Sequence, residues 1–479
     1  METHRGQPYR PADATRAERG SATILELQSS PDNPPRTGSP ERRAEDGNGL
    51  EMPGLPAVDR GKDAYLFLAA CFMIEALVWG FAYSFGVFQD YYSTHEPFAG
   101  AANVPVVGTC AMGIMYLSAP LVMYAHRRFP RPARHSTIAG LLLMCLALAL
   151  SSFSTTVTHL IVTQGVFYAV GGSVAYASCI VYLEQWFVAR RGLAFGIMWS
   201  ATGLSGVVLP LLLERLLSAY GHPTTLRLFA CLVFLLTAPL SWYVRPRLPV
   251  AQASAARPFS LRFVVERPFV LYQACNVVEA AGYFLPGIYL PSYARAVLGA
   301  RPLPSVVAMM LVNVANWAGC VAMGWLIDRL DVTRCFLVSS LGAALGTLLL
   351  WGLSVNLPVL YLFCIVYGLF AGSYSAAWPG IMKEITSRPP PPLPSDGSGR
   401  GHEHGSLADP GMVFAFLAMG RGLGNVVSGP LSEALVEGMP WRGHAFGGYG
   451  SGYGGLIAFT GATAFLGGGS YLWKRLGWL

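Results

Sequence analysis

Three ionisable residues lie in long stretches of the sequence that are otherwise apolar. Glu75 stands midway along an uncharged run, 64–88, and Glu279 stands midway along another, 268–294. Arg421 is a base in the same kind of setting. Each run is long enough to cross a bilayer, where an ionisable side chain costs roughly 2.5 to 3.5 kcal/mol on insertion scales. We therefore expect these side chains to face protein or a water-filled cavity, and they are the first candidates for substrate binding or proton coupling.

Two acids and one base leave a net charge of −1 if all three side chains ionise. In a low-dielectric setting we expect one Glu–Arg ion pair and one further carboxyl that is protonated part of the time, which is what proton coupling requires. Arg421 could pair with Glu75, with Glu279, or with a substrate carboxylate, which a guanidinium binds in bidentate geometry. A polar contact that only joins two helices is the alternative for each residue.

Uncharged polar and aromatic residues at the same depth are secondary candidates. The hydrogen-bonding groups are Asn276, Asn313, Asn316 and Gln164. The candidates for a cavity wall are Trp79, Tyr83, Tyr283 and Trp378. Aromatic residues at this depth more often serve helix packing than a site, so they rank below the charged residues.

The elements that must position these residues are membrane spans. Charged residues make up 12% of the chain and hydrophobic residues 53%, whereas soluble domains carry about 25% charged residues. Twelve apolar runs have spanning length. They are 64–88, 103–125, 135–153, 158–183, 192–213, 224–244, 268–294, 304–327, 335–354, 358–382, 411–433 and 451–473. The sequence therefore predicts an all-α integral membrane protein with twelve transmembrane helices.

Lysine and arginine are distributed unevenly between the two sides of these spans. Outside the amino-terminal tail itself, eighteen lie in loops and span ends on the side of that tail, and five lie in loops and span ends on the other side. Because positively charged loops stay in the cytoplasm, both termini are predicted to be cytoplasmic. We expect a monomeric, multi-pass protein of the plasma membrane, whose partners are the lipid bilayer, protons and a small-molecule substrate.

Composition divides the chain into segments. Residues 1–63 are rich in Pro, Gly, Ser, Arg and Glu and contain no apolar run, so we predict a disordered cytoplasmic tail. Two six-helix halves, 64–244 and 268–479, are joined by a central cytoplasmic loop, 245–267. The second half holds a stretch rich in Pro, Gly and Ser at 383–410, which is predicted to be a disordered cytoplasmic insertion.

The two halves resemble each other in sequence. CFMIEA at 71–76 returns as CNVVEA at 275–280, and Gly-Ser at 172–173 returns at 372–373. Two repeats in the same orientation imply a pseudo-twofold axis along the membrane normal, with the substrate site between the halves near the midplane. The repeat is therefore typical of a transporter.

Other classes of function lack the residues that they need. All nine histidines fall in loops or at span ends, and no aspartate sits at mid-membrane depth, so a membrane enzyme based on a metal or on paired aspartates has no candidates. The nine cysteines stand singly, which predicts neither disulfides nor zinc. The arginines form no basic patch of the kind that binds nucleic acid. We expect no enzymatic activity, no metal and no cofactor.

Three stretches carry a family resemblance. GWLIDR at 324–329 resembles the loop signature of the major facilitator superfamily. WFVARRGLAFG at 186–196 resembles the start of the fifth span in monocarboxylate-transporter-like members, and 80–92 resembles the first span of the fungal members of that branch. The resemblance implies the major facilitator fold, with two pseudo-symmetric six-helix halves that give alternating access.

The resemblance also implies a gate at the cytoplasmic face. An acid at a helix end and nearby arginines can pair across that face in one state and separate in the other. The gating candidates are Asp328, Arg329, Arg190 and Arg191. Tyr124 stands where the acid of the first half would be, so the gate is expected to be asymmetric. The alternative is ordinary positive-inside charge with one acidic partner.

The residues that handle substrate in animal lactate carriers are replaced here. Those carriers use a lysine late in the first span and an Asp-x-x-x-Arg pair in the eighth span. The corresponding positions are Tyr83, Asn316 and Cys320. The resemblance therefore does not imply lactate–proton symport, and Tyr83 and Asn316 remain candidates for contact with another substrate.

The predicted function is secondary transport of a small organic solute, anionic or amphipathic, by alternating access with proton coupling. Loss of the lactate-handling residues fits export of a pathway product such as a secondary metabolite. The fifth span lacks the strict Gly-Pro signature of drug exporters, which mildly favours uptake. The alternatives are a proton-coupled monocarboxylate uptake carrier and a membrane nutrient sensor that has the same fold and does not transport.

Overall fold

Helices make up most of the chain that the structure describes. The computed structural model describes residues 55–101, 103–249, 260–388 and 408–479. Within these ranges the backbone forms helices and turns and contains no β-strand. A helix satisfies its backbone hydrogen bonds internally, as a bilayer requires, because the bilayer core offers no water to bond them.

Six helical spans form the first half. In chain order they are Lys62–Tyr83 followed by Phe85–Thr94, Val104–Leu117 followed by Ala119–Arg128, Ser136–Ser151, Val157–Trp186, and the two arms of Arg191–Ser241. The last helix has 51 residues, which at about 1.5 Å per residue is more than twice the thickness of a bilayer core. It is kinked at Gly221, where φ is 69° and ψ is 173°, a conformation that only glycine adopts readily. The fifth and sixth spans are therefore 191–220 and 222–241.

Six further spans form the second half. They are Arg267–Tyr283 followed by Leu285–Ala296, Pro302–Ile327, Val332–Leu345 followed by Gly346–Trp351, Leu357–Thr386, Pro410–Val436, and Gly454–Gly467 followed by Gly469–Arg475. Short helices outside the spans are Pro130–Ala133, Arg262–Val265 and Gly447–Ser451. The first and seventh spans, which the sequence repeat relates, both break shortly after their glutamate, at Ser84 and Phe284.

The twelve predicted runs all fall on these helices. By length and composition, seven helices in the described ranges could each cross a membrane, and an eighth could if the second span, bent by 43°, is counted as one. Arg191–Ser241 carries two of the runs. The third, seventh and twelfth runs lie on shorter or broken helices.

Several segment boundaries differ from the prediction by a few residues. The first helix begins at Lys62, so it includes the last two residues of the predicted tail, 1–63. The predicted insertion, 383–410, is narrower, because the tenth span continues to Thr386 and Pro410 already begins the eleventh. The greater part of both segments lies outside the described residues.

The fifth and eighth spans bring the two halves into close contact. A Cβ atom added to Gly324 would lie 2.5 Å from the backbone oxygen of Gly192 and 2.8 Å from Cα of Gly196. Such approach of backbones is possible only where neither helix carries a side chain. These glycines lie on the same side of the molecule as Lys62 and Asp328. We call that side the near face and the opposite side the far face.

The membrane orientation can be tested at the far-face end of the first span. The helix Phe85–Thr94 extends beyond residue 88, where the first predicted run ends. A glycosylation acceptor therefore belongs after this helix, within 95–101. That stretch carries no Lys or Arg, and we expect it to be extracellular or lumenal. An Asn-x-Thr sequence on a lengthened loop there should be glycosylated. Modification only of an acceptor placed in the 245–267 loop would show the opposite orientation.

Candidate functional site

A buried ion pair joins the seventh and eleventh spans. Nη1 of Arg421 donates to Oε2 of Glu279 over 2.9 Å, and the two side chains are 4% and 5% exposed. The guanidinium also lies over the ring of Tyr283, 4.1 Å from its centroid. Among the partners considered from the sequence, the structure therefore places Glu279 beside Arg421. Burial of both charges is costly, and close geometry such as this is what offsets the cost.

Arg421 also connects the second half to the first. Its guanidinium lies close to the hydroxyl of Tyr116 in the second span. The hydroxyls of Tyr116 and Tyr83 are 2.7 Å apart. Tyr83 was a candidate from the sequence, but Tyr116 was not, because no charge or repeat marks it. The network from Glu279 to Tyr83 crosses the interface between the halves at mid-depth.

Glu75 stands apart from this ion pair. It is 3% exposed and lies close to the hydroxyl of Tyr176 in the fourth span. The same hydroxyl accepts a hydrogen bond of 2.6 Å from Nε1 of Trp199. Oε2 of Glu75 has no hydrogen-bond partner in the described part of the chain. The three charges are thus arranged as one ion pair and one separate carboxyl.

A cavity of about 570 Å³ lies between the halves. Glu75, Tyr83 and Arg421 are in its wall, whereas Glu279 lies behind Arg421 and is not among the lining residues. The rest of the wall is mainly aromatic and aliphatic, with several methionines. The cavity is therefore of the size and composition that small-molecule sites have.

Two of the three candidate asparagines, Asn276 and Asn316, have different positions. Asn316 lines the cavity, and its Oδ1 accepts a hydrogen bond of 3.3 Å from Sγ of Cys320. Asn276 does not line the cavity. Its Nδ2 donates to the backbone oxygen of Leu417 over 2.8 Å, so it ties the seventh span to the eleventh. Asn316 can contact a solute, and Asn276 supports the helices that carry the ion pair.

Aromatic rings close the cavity toward the near face. Trp199 of the first half stacks on Phe414 of the second half, with centroids 6.0 Å apart, and meets Trp378 edge to face at 5.9 Å. We call these three residues the aromatic floor. Trp199 lies eight residues into the fifth span, about 12 Å from its start, whereas Glu75 lies about 20 Å into the first span. The floor is therefore nearer to the near face than Glu75 is.

Asp328 binds the first half at the near face through backbone groups. Its two carboxylate oxygens accept hydrogen bonds from N–H of Gly192 at 2.7 Å and of Leu193 at 2.9 Å. These N–H groups begin the fifth span and have no partner within their helix, and the positive end of the helix dipole favours a carboxylate there. The expected acid–arginine pair at Asp328 is thus replaced by a helix cap that crosses the interface.

The three arginines predicted to act in the gate make contacts within their own half. Nη1 of Arg191 is 3.4 Å from Oε1 of Glu184, and Arg329 lies over the ring of Trp325. The backbone N–H of Arg190 donates to Asp59 over 2.9 Å. No gating role follows for them from these contacts, and the roles proposed for them from the sequence stay predictions.

Two further acids at the near face were not among the predicted site residues. Asp59 accepts hydrogen bonds from the backbone N–H groups of residues 188–190. Asp409 caps the eleventh span by accepting from N–H of Met412, and its Oδ2 is 3.0 Å from Nη1 of Arg127 in the first half. Burial raises the pKa of Asp409 above its ordinary value, although Arg127 opposes this. An Asp directly before Pro410, the first helical residue, is a capping signal that could have been recognised.

The near-face cap can be tested with Asp328→Asn. The substitution removes the charge and one acceptor from two charge-assisted hydrogen bonds, each worth about 1.5 to 3 kcal/mol, so we expect the near face to open at least tenfold more often. Labelling of a cysteine placed on the near face would measure this. Solute binding should change by only a few-fold. Asp331→Asn is the matched control, because Asp331 pairs with Lys474 within the second half. A large loss of binding with unchanged labelling would contradict the assignment.

Comparison with known proteins places the chain in a family. The model of the Major Facilitator Superfamily matches residues 64–399. MFS transporter asaE of Aspergillus flavus is 24% identical over 81% of this chain and 83% of its own length. Fujikurins efflux protein of Gibberella fujikuroi is 25% identical over 78% of each chain.

Two more comparisons concern a monocarboxylate transporter and a solved structure. Monocarboxylate transporter 13 of Bos taurus is 30% identical over 55% of this chain and 61% of its own length. A crystal structure of a double-tryptophan mutant of XylE aligns with a TM-score of 0.63, covering 86% of this chain and 95% of that chain at 14% identity. This confirms the predicted fold class of twelve spans in two six-helix halves. The chain belongs to the Major Facilitator Superfamily.

Proposed function

We propose that the protein is a secondary transporter that moves a small amphipathic organic solute by alternating access, coupled to protons. The observation that carries the proposal is Glu75, a buried carboxyl without an ion-pair partner among the described residues, in the wall of a cavity between the two halves. Arg421, the base of the same wall, already holds Glu279. Glu75 is therefore free to exchange its proton as the cavity changes its access to water.

The contacts between the halves support alternating access. The near face is closed by the Asp328 cap, by the Arg127–Asp409 ion pair and by the aromatic floor. These are hydrogen bonds, one partly exposed ion pair and ring contacts, all of which can separate without unfolding a helix. The cavity extends toward the far face along Val87, Pro291 and Val306. We infer that this arrangement is one end state of the cycle and that separation of the near-face contacts gives the other.

The composition of the cavity favours an amphipathic solute. Its wall is largely apolar, so a solute would bury hydrocarbon or aromatic surface there. Export is the direction that we propose, since a relative with 78% mutual coverage is named an efflux protein. Uptake of a simple monocarboxylate has less support, because Tyr83, Asn316 and Cys320 stand where lactate carriers hold their charged residues.

Transport by the purified protein in liposomes tests the proposal. Three labelled probes share one aromatic group and differ in charge: cyclo(Pro-Phe), which is neutral, N-acetylphenylalanine, an anion, and trimethyl(phenethyl)ammonium, a cation. We expect at least one probe to cross faster than in protein-free liposomes and to accumulate in the direction that an imposed pH gradient dictates. A protonophore should abolish accumulation and leave exchange intact. Movement of no probe, or accumulation indifferent to the pH gradient, would contradict the proposal.

A further inference from the structure

Three buried polar groups in the cavity wall lack a hydrogen-bond partner in the described part of the chain. They are Oε2 of Glu75 and the indole Nε1 atoms of Trp79 and Trp378. The three side chains are 3%, 7% and 3% exposed. Native structures leave few such groups unpaired, because each one costs about 1 to 3 kcal/mol. Fourteen buried side-chain atoms in the described residues lack a partner, and three of them belong to side chains that line this one cavity. A bound molecule would complete these three.

The chemistry of these groups specifies the molecule that would complete them. An indole N–H is a donor only, so Trp79 and Trp378 each require an acceptor such as a carbonyl oxygen. The free oxygen of Glu75 requires a donor, such as a hydroxyl or an amide N–H, when it is ionised, and it can itself donate when it is protonated. The wall is thus matched by a molecule with two acceptors and one donor.

The charges of the wall disfavour an ionic molecule. The positive charge of Arg421 is already compensated by Glu279 at 2.9 Å, so an anion would meet the carboxyl of Glu75 without a free cation to offset it. A cation could pair with Glu75 only while that carboxyl is ionised, and it would then also meet the two indole N–H groups, whose hydrogens carry partial positive charge, and the guanidinium of Arg421. Burying an uncompensated charge costs far more than burying a neutral polar group that is hydrogen-bonded.

The two indole donors belong to different halves of the protein. Trp79 lies in the first span and Trp378 in the tenth, and a chain of contacts joins them. Trp79 meets Tyr176 at 5.8 Å between ring centroids, Tyr176 is hydrogen-bonded to Trp199, and Trp199 meets Trp378 at 5.9 Å. Both tryptophans line the same cavity, so a molecule that binds the two donors would join the halves at the aromatic floor.

We propose that the cavity binds neutral molecules that have an apolar body, two hydrogen-bond acceptors of the carbonyl type, and one hydroxyl or amide donor. The acceptors bind Trp79 and Trp378, and the donor binds Glu75. Met112, Met115 and Met309 in the wall supply flexible side chains that adapt to the shape of the apolar body. This inference rests on the proposed function, since it names the class of solute that the transporter carries.

Equilibrium binding to the full-length protein in detergent tests the inference with the same three probes. Cyclo(Pro-Phe) has two carbonyl oxygens, one N–H and an aromatic group, and is the neutral probe that the wall should select. We expect it to bind at least tenfold more tightly than the anion N-acetylphenylalanine and the cation trimethyl(phenethyl)ammonium. Preference for either ion, or no saturable binding of the neutral probe, would overturn the inference.

Replacement of single indole groups tests the two donors. 3-Benzothienylalanine keeps the bicyclic shape of tryptophan and replaces N–H with sulfur, so it removes the donor while retaining the packing. At Trp79 or Trp378 it should weaken binding of cyclo(Pro-Phe) by roughly three- to tenfold, the effect of one hydrogen bond, and leave the melting temperature unchanged. The matched control is the same replacement at Trp317, which is 47% exposed and does not line the cavity.

The outcomes separate this inference from the proposed function. If the indole replacements leave neutral-probe binding unchanged, the donors are not part of the site and the inference fails. If the anion binds best and is driven by a pH gradient in liposomes, the inference fails and the transport function stands. If the neutral probe binds and depends on both indoles but no pH-driven transport occurs, the site stands and the proposed transport function fails.

Discussion

Substitution Arg421→Ala is expected to abolish transport and to destabilise the protein by about 3 to 5 kcal/mol, the cost of removing one partner of a buried ion pair. Glu279 would be left buried without its cation, and Tyr116 would lose the positive charge that lies beside its hydroxyl. Thermal unfolding in detergent and uptake into liposomes would measure the two effects. Arg421→Lys keeps the charge but loses the planar fork, so it should recover most of the stability and little of the transport.

Variants that also change Glu279 show whether stability and transport depend on the ion pair or on the arginine alone. Glu279→Gln should also destabilise, because it leaves the guanidinium without its carboxylate. The double variant Arg421→Met with Glu279→Leu removes both charges, and its stability should return close to that of the natural protein. It should remain inactive. An Arg421→Ala protein that is as stable as the natural protein would show that the ion pair contributes nothing to folding.

Substitution Glu75→Gln is expected to uncouple transport from the proton gradient while preserving exchange of solute for solute. Glutamine keeps the size of the side chain and one accepting oxygen, so the local structure should persist, but it cannot release a proton. Exchange and net accumulation of whichever probe is transported would be measured in liposomes at matched and at mismatched pH. We expect accumulation under a pH gradient to fall to the level of protein-free liposomes.

A matched control is Glu184→Gln. Glu184 lies at the end of the fourth span and pairs with Arg191 at 3.4 Å, outside the residues that line the cavity. Its substitution should leave the response to a pH gradient intact. If Glu75→Gln protein still concentrates solute under a pH gradient, coupling lies in another group, and Glu279 is the next to substitute.

The sequence by itself was sufficient to locate the spans and to identify the charged residues that are worth substituting. Whether a segment crosses a bilayer depends on its own length and polarity, so the twelve runs could be located without knowledge of their neighbours. A charge within such a run is equally visible, because the run itself shows that the residue lies at membrane depth. Glu75, Glu279 and Arg421 were therefore recognisable, as was the relation between the halves through the repeat at 71–76 and 275–280.

Only the tertiary structure decided which groups meet. The pairing of Arg421 with Glu279, which leaves Glu75 apart, depends on the rotation and depth of three helices that are far apart in sequence. Tyr116 and Tyr176 carry no local signal, since a tyrosine at membrane depth looks the same whether it packs or donates a hydrogen bond. Asp328 illustrates the same limit, because its partners are the backbone N–H groups of Gly192 and Leu193, which every helix start possesses. Contacts of this kind arise from packing between helices that are distant in the sequence, and no single segment of the sequence encodes them.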